Sequence, residues 1–130
     1  MKLIKVEKVD EEFLKEVVRR IVSAVDPEKI ILFGSHAYGK PKKGSDLDIM
    51  VVVKDDVESC WKAASEVYGA LCGLLIPKDV VVVRLKDIKE WKDVPQAFIT
   101  KVVSRGKVLY RPRVCVKSLA IKLLRAYPPK

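Results

Sequence analysis

Two short apolar segments flank a Gly-Ser pair and an Asp-Leu-Asp triplet, and this arrangement constrains the fold most strongly. Residues 30–33 are apolar and end at Gly34-Ser35, while residues 49–53 are apolar and follow Asp46-Leu47-Asp48 directly. Ten residues separate the pair from the triplet. Short apolar runs that are bounded by glycine and polar residues are typical of buried strands. We therefore predict a strand on each side of the motif, with the polar residues at the strand ends.

The rest of the chain alternates between helical and strand patterns. Apolar residues recur at helical spacing from Phe13 to Val25, where Asp10 is the expected N-cap and Asp26-Pro27 the expected end. Such an alternation predicts an α/β (α+β) domain, with strands apolar enough to be covered on both faces. The predicted strands are 29–33, 46–53, 79–84 and 107–110, with a short edge strand or extended arm at 2–7. The further predicted helices are 57–71, 86–105 in two pieces broken before Pro95, and 114–126. The apolar residues of the helix at 57–71 share one face, which we expect to pack: Val57, Trp61, Ala64, Val67, Tyr68 and Leu71.

Composition indicates one globular domain of 130 residues, because 49% of the residues are apolar and 33% are charged. The net charge of +9 favours anionic partners such as nucleotides, RNA or an acidic protein, but it also fits a lysine-rich solvated surface. Cys60, Cys72 and Cys115 match no zinc spacing and suit a reducing compartment. Since we find no signal-peptide core and no apolar stretch of membrane-spanning length, we expect a cytoplasmic protein without membrane contact.

The acidic residues are candidate metal ligands. Side chains two residues apart on a strand share a face, so Asp46 and Asp48 should lie roughly 6.5–7 Å apart at their Cα atoms. Two carboxylates at that separation can bridge a pair of hard cations, and magnesium prefers carboxylate and phosphate oxygens. Asp79 opens the next apolar strand and reaches the same cluster if that strand pairs beside the second. Alternatively, Asp79 is a solvated strand end, and an isolated Asp-x-Asp also occurs by chance.

Gly34 and Ser35 are candidate phosphate ligands. A strand that runs through glycine into a helix N-terminus presents free N–H groups to an anion, and glycine permits close approach. A plain strand-to-helix turn with Ser35 as N-cap explains the same residues. The neighbouring His36 is expected to be a variable loop residue rather than a phosphate ligand. Loop lysines at positions 40, 42 and 43, together with Lys78 and Arg84, face either the nucleotide or solvent.

Together these residues resemble the minimal nucleotidyltransferases of the DNA polymerase beta-like superfamily. The resemblance rests on Gly34-Ser35, the ten-residue gap, Asp46-Leu47-Asp48 and the later Asp79, and it covers roughly residues 28–110. The fuller family pattern, G-S-x-A-x-G followed by S-D-x-D, is also matched by Ala37, Gly39 and Ser45.

This resemblance implies a small mixed β-sheet flanked by helices, over a nucleotidyltransferase domain at 1–110 with a C-terminal helical extension at 111–130. It implies that Asp46, Asp48 and Asp79 bind two Mg²⁺ ions and that Gly34 and Ser35 bind the phosphates of ATP. It further implies transfer of AMP to an acceptor hydroxyl, with Asp79 also helping to deprotonate that hydroxyl. Small members of the family often act as antitoxins of helical HEPN toxins, so the expected acceptor lies on such a partner protein.

Two other functions stay open on the sequence alone. A non-catalytic antitoxin would neutralise its partner by docking, in a homo- or hetero-oligomer, and the intact acids count against it. Direct nucleic-acid binding ranks last, because no RNA-binding module pattern accompanies the basic charge. The helix predicted at 114–126 either packs on the domain or docks a partner, and we expect ordinary packing.

Overall fold

The computed structural model describes residues 4–5, 9–39 and 45–112. The elements in chain order are β1 (Ile4–Lys5), α1 (Glu11–Val25), β2 (Lys29–Phe33), α2 (Ser35–Tyr38), β3 (Leu47–Val53), α3 (Cys60–Ala70), β4 (Leu74–Leu75), β5 (Lys78–Arg84), α4 (Leu85–Trp91), α5 (Phe98–Arg105) and β6 (Lys107–Tyr110).

A four-stranded mixed sheet organises these elements in the order β5-β3-β2-β6. Strand β2 pairs antiparallel with both β3 and β6, whereas β3 and β5 are parallel. Parallel neighbours need a crossover connection, and α3 provides it between β3 and β5. The predicted α/β class with a small mixed sheet flanked by helices is confirmed.

Helices cover both faces of the sheet, as the apolar strands predicted. One hydrophobic cluster joins the odd-numbered residues of β3, such as Ile49, to Val17 and Ile21 of α1 and Val67 of α3. A second cluster joins the even-numbered Met50 and Val52 to residues of α4 and α5. Because successive side chains on a strand alternate between faces, β3 contributes to both clusters and is buried along its apolar length.

The ends of α1 follow the capping signals in the sequence. The Asp10 side chain accepts a hydrogen bond from the Phe13 N–H at 2.9 Å, as expected of an N-cap. At the other end, Asp26 is left-handed with φ 47°, and its N–H donates to the Val22 carbonyl oxygen at 3.2 Å. This C-cap turns the chain into Pro27 and then directly into β2.

Two local expectations are wrong. Helix α3 begins at Cys60 rather than near Val57, because the Ser59 side chain caps the Lys62 N–H at 3.1 Å. The start of the helix faces solvent at Trp61, which was expected on the packed face but is 81% exposed, while Ala63 is buried. In addition, no pattern in the sequence indicated β4, which pairs in parallel with β1.

The predicted helix at 114–126 lies outside the described residues. The boundary between 110 and 111 therefore stays a prediction, although β6 does end at Tyr110. In the described part of the chain, no helix combines the length and apolar character that crossing a bilayer requires.

Candidate active site

The pairing of β3 with β5 places two of the predicted acids side by side. In this parallel register Asp48 is the direct partner of Asp79. Strand β2 lies on the other side of β3, where Phe33 is the partner of Asp48. Asp46 comes one residue before β3 begins, so it lies at the end of the strand rather than within it. The three carboxylates thus lie at one end of the strands, where β2 ends and β3 and β5 begin.

Alternation along the strands puts Asp48 and Asp79 on the same face. Leu47 and Ile49, which flank Asp48, belong to the cluster under α1 and α3. Asp48 therefore shares the opposite face with Met50, and Asp79 shares that face with Val81. Asp48 is half-buried, whereas Asp46 and Asp79 are exposed. In the Asp48–Asp79 pair, one carboxylate is therefore partly buried and the other is open to solvent.

Gly34 brings the second half of the motif against Asp48. Its φ of 75° and ψ of −161° belong to a backbone region that is essentially limited to glycine. A Cβ atom at this position would collide with the Asp48 carboxylate oxygen Oδ2 and would lie 3.1 Å from its Cγ. The Gly-Ser turn and the acids, although ten residues apart, therefore form one contiguous site.

The turn continues into α2, a single helical turn that starts at Ser35. The Gly34 carbonyl oxygen accepts hydrogen bonds from the N–H groups of Ala37 at 3.0 Å and Tyr38 at 3.1 Å. The N–H groups of Ser35 and His36 precede Ala37, the first N–H donor within the helix. They can therefore donate to an anion in front of the turn. The phosphate-binding role of Gly34 and Ser35 stays a prediction, and this turn is compatible with it.

His36 has a structural contact that the sequence did not suggest. Its Nε2 atom lies 3.2 Å from the Ser45 carbonyl oxygen, and the ring is half-buried. This hydrogen bond joins α2 to the residue before Asp46, with residues 40–44, outside the described part of the chain, between them in the sequence. His36 thus helps to hold the two halves of the motif together.

Electrostatic repulsion is concentrated on Asp48. Burial raises the pKa of this carboxyl, and the charges of Asp79 and Asp46 raise it further, while His36 lowers it. A divalent cation among the carboxylates would remove this repulsion.

The carboxylates suit a magnesium ion that also binds substrate, rather than a metal ion held by protein side chains alone. Within the described residues, no three His, Cys, Asp or Glu side chains are gathered closely enough to hold a metal ion by themselves. Magnesium is usually held by one or two carboxylates together with substrate phosphates and water. Asp46, Asp48 and Asp79, with the turn at Gly34 facing them, fit that mode of binding.

Tyr68 is a residue near the acids that sequence reasoning missed. It lies on α3, where its helical spacing indicated only packing. Its hydroxyl oxygen accepts a hydrogen bond from the Val80 N–H at 2.9 Å and lies 3.5 Å from Asp79 Oδ1. No sequence signal could have identified this contact, because it depends on how α3 packs beside β5.

Two basic residues that were candidates for binding the nucleotide instead donate hydrogen bonds to backbone carbonyl oxygens. Lys78 donates from Nζ to the carbonyl oxygens of Leu74 and Ile76, each at 3.1 Å. Arg84 donates to the carbonyl oxygens of Val57 at 2.8 Å and Glu58 at 2.9 Å. Both side chains fix loops, while the lysines at 40, 42 and 43 lie outside the described residues.

Most of the chain matches a known protein family. Residues 15–113 match the family model described as Polymerase beta, Nucleotidyltransferase. This match includes the Gly-Ser turn, the three acids and all four strands of the main sheet. No curated protein matches the chain at a significant level.

Several solved structures resemble the chain. A proposed nucleotidyltransferase from Sulfolobus solfataricus is 21% identical, with a TM-score of 0.52 over 75% of this chain and 78% of that one. A mutant of the MntA-HpeT toxin-antitoxin complex is 20% identical, with a TM-score of 0.49 over 86% and 84%. A toxin-antitoxin structure with AMP-PNP is 24% identical, with a TM-score of 0.48 over the same shares. At such identities the first of these supports the fold alone.

Proposed function

The chain belongs to the polymerase beta nucleotidyltransferase family, and we propose that it transfers AMP from ATP to an acceptor hydroxyl with the help of two Mg²⁺ ions. The observation that carries this proposal is the contact of the Gly34 turn with Asp48, which is itself in register with Asp79. A phosphate that binds at this turn would lie directly in front of the carboxylates.

In this proposal the acids and the turn have separate tasks. Asp46 and Asp48 would hold both Mg²⁺ ions, and Asp79 would be a further ligand. Gly34 and Ser35 bind the β- and γ-phosphates through backbone N–H groups and the serine hydroxyl. When bound, the metal ions supply positive charge to the attacking and leaving oxygens. His36 supports the turn by its hydrogen bond to the Ser45 carbonyl oxygen.

The chemical step forms one bond and breaks one bond. The acceptor oxygen bonds to the α-phosphorus, and the bond between that phosphorus and the bridging oxygen of pyrophosphate breaks. The acceptor proton passes to the Asp79 carboxylate, and pyrophosphate leaves with the electron pair. The residues of the chain mainly align the reacting atoms, as is usual in phosphoryl transfer.

A protein acceptor, such as a HEPN-type toxin, is the proposed partner. The sequence resemblance to the minimal nucleotidyltransferases supports this choice. The exposure of Asp46 and Asp79 supports it too, because a hydroxyl on another molecule can approach them from solvent. The cytoplasm is the proposed location, consistent with the reduced cysteines expected from the sequence.

Labelled ATP tests the proposal. The full chain is co-expressed with the product of the neighbouring gene, purified, and incubated with Mg²⁺ and ATP labelled at the α-phosphate. We expect label on the partner and release of pyrophosphate. Asp48→Asn should lower the transfer by more than about 100-fold, because even changes to residues that only orient metal ligands cost 10–100-fold.

Asp56→Asn is the matched control, because it removes the same charge from an exposed residue beyond the opposite end of β3. This variant should transfer label at the wild-type rate. A wild-type chain that binds neither ATP nor Mg²⁺ at millimolar concentrations, yet still neutralises its partner, would refute the enzymatic proposal in favour of docking alone.

A further inference from the structure

Strand β5 is the edge of the sheet on which Asp79 lies. Among the described residues it pairs with β3 on one side only, so its outward N–H groups have no strand partner there. The Val80 N–H, directly after Asp79, is satisfied by the Tyr68 hydroxyl of α3 at 2.9 Å. Helix α3 therefore reaches around the sheet edge and fixes the backbone beside the third acid.

The same hydroxyl is also directed at the acid itself. A tyrosine hydroxyl has one proton to donate, and its oxygen can accept at the same time. Since the oxygen accepts from Val80, its proton is free to point at Asp79 Oδ1, which lies 3.5 Å away. At this outer limit of hydrogen-bond distance, the contact can shorten as the carboxylate takes up a ligand.

Asp79 has little else to orient it. The residue is exposed, and Tyr68 is the only side chain of the described residues that hydrogen-bonds to it. The backbone at Tyr68 is anchored by the fully buried Val67 on α3 and Leu71 at its C-cap. The side chain is 40% exposed, and its hydroxyl is tied to β5 by the Val80 N–H. A fixed donor thus meets a carboxylate that would otherwise rotate in solvent.

We propose that Tyr68 is a positioning residue for Asp79, holding one carboxylate oxygen so that the other is presented to the metal ions beside Asp48. The inference rests on the proposed function, in which Asp79 is a metal ligand. Partners that orient metal ligands usually change metal affinity, and this effect differs from simple support of the strand.

A double-mutant cycle with Mn²⁺ as the probe separates these roles. Mn²⁺ binding to the full chain is measured by water-proton relaxation for wild type, Tyr68→Phe, Asp79→Asn and the double variant. Tyr68→Phe should weaken binding by on the order of 10-fold. In the Asp79→Asn background it should have no further effect, because the hydroxyl then has no carboxylate to orient.

Catalysis gives a second measurement. Tyr68→Phe should raise the Mg²⁺ concentration needed for half-maximal pyrophosphate release, with kcat at saturating Mg²⁺ close to wild type. Replacing Tyr68 by 4-aminophenylalanine restores a donor and should recover Mn²⁺ affinity. Tyr110→Phe, on the strand at the opposite edge of the sheet, removes a hydroxyl as a control and should change neither readout.

Melting temperatures of all variants establish that they are folded. Wild-type Mn²⁺ affinity in Tyr68→Phe would overturn the inference, and so would an equal loss in both backgrounds, since the hydroxyl would then act without Asp79. Either result leaves the proposed function intact if Asp48→Asn still abolishes transfer. A wild-type chain that neither binds Mn²⁺ nor transfers AMP would refute both.

Discussion

At the scale of single residues, Gly34 combines a restricted backbone conformation with a close approach to the Asp48 carboxylate. We predict that Gly34→Ala destabilises the fold by about 1–3 kcal/mol, since its backbone region is essentially closed to other residues. The new methyl group would also displace the Asp48 carboxylate, so nucleotide transfer should be lost. Urea unfolding and the labelled-ATP assay measure the two effects.

Gly39→Ala is the control for Gly34→Ala. Gly39 also has a positive φ, of 102°, but no described atom lies within 4 Å of the position that a Cβ would take there. This variant should therefore lose stability through backbone strain yet keep its transfer activity. Loss of activity in both variants to the same degree would contradict a specific contact between Gly34 and Asp48.

The negative charge of Asp48, which the proposed function needs, should lower the stability of the fold. Its pKa is raised by burial and then by Asp79 and Asp46, so the ionised form destabilises the folded chain. The stabilisation from the protonated form is present below the unfolded-state pKa and is lost as pH rises through the raised folded-state pKa. Asp48→Asn should therefore be more stable than wild type at pH 7 without metal.

That stability difference should shrink as the pH falls, because wild-type Asp48 then becomes neutral as well. Urea unfolding of both proteins across the acidic range gives the comparison. Asp56→Asn should give no comparable gain at pH 7, since Asp56 lies near Lys54 rather than near other acids of the site. A wild type more stable than Asp48→Asn at pH 7 would contradict the repulsion inferred for Asp48.

At the scale of elements, a charged cluster joins α1 to the end of α3. Glu16 pairs with Arg19 and Arg20, each at 2.6 Å, and Arg20 also donates to the carbonyl oxygens of Ala70 and Cys72 at 3.4 Å. Helix C-termini favour positive charge, so Arg20 suits this position. Glu16 holds the guanidinium group in place between the two helices.

The cluster predicts a pH-dependent contribution to stability. Hydrogen bonds from Arg19 and Arg20 lower the pKa of Glu16 from 4.5 to about 2. The stabilisation is therefore present above the unfolded-state pKa and is lost as pH falls through the folded-state pKa. Glu16→Gln should cost about 0.5 kcal/mol at pH 7, the usual range for solvent-accessible pairs, and clearly less near pH 2.

Urea unfolding at several pH values provides the measurement for Glu16→Gln. Glu66→Gln on α3 is the control, because Glu66 is exposed and has no ion pair among the described residues. A cost for Glu16→Gln that is unchanged at pH 2 would show that the ionised pair is not its cause.

At the scale of the whole molecule, β3 unites the two hydrophobic clusters. Ile49 belongs to the cluster under α1 and α3, and Met50 belongs to the one under α4 and α5. Both side chains are fully buried. Ile49→Ala and Met50→Ala should each destabilise by about 2–5 kcal/mol, because each leaves a cavity in a packed core.

Each variant should still unfold in one transition when circular dichroism and tryptophan fluorescence are compared, because the clusters share one strand. Trp61→Ser is the matched surface control and should be nearly neutral in stability, as its side chain is 81% exposed. Separate transitions in Met50→Ala would instead mean that the α4–α5 side folds independently.

The sequence by itself determined the elements of the main sheet and the residues that could carry chemistry. Short apolar segments predicted β2, β3, β5 and β6, because strands that are covered by helices need apolar side chains. The capping residues Asp10 and Asp26 marked the ends of α1, because free N–H and C=O groups need nearby partners. The motif at Gly34 and Asp46–Asp48 indicated the family, which the family model confirms.

Only the tertiary structure decided how these residues meet. The register that pairs Asp48 with Asp79, the His36 contact with Ser45 and the Tyr68 contact with Asp79 all join residues from different segments. The exposure of Trp61 and the pairing of β4 with β1 were also unpredictable from local patterns. Local sequence dictates backbone conformation and polarity over a few residues, whereas strand register and helix packing are set by the fit of the whole core.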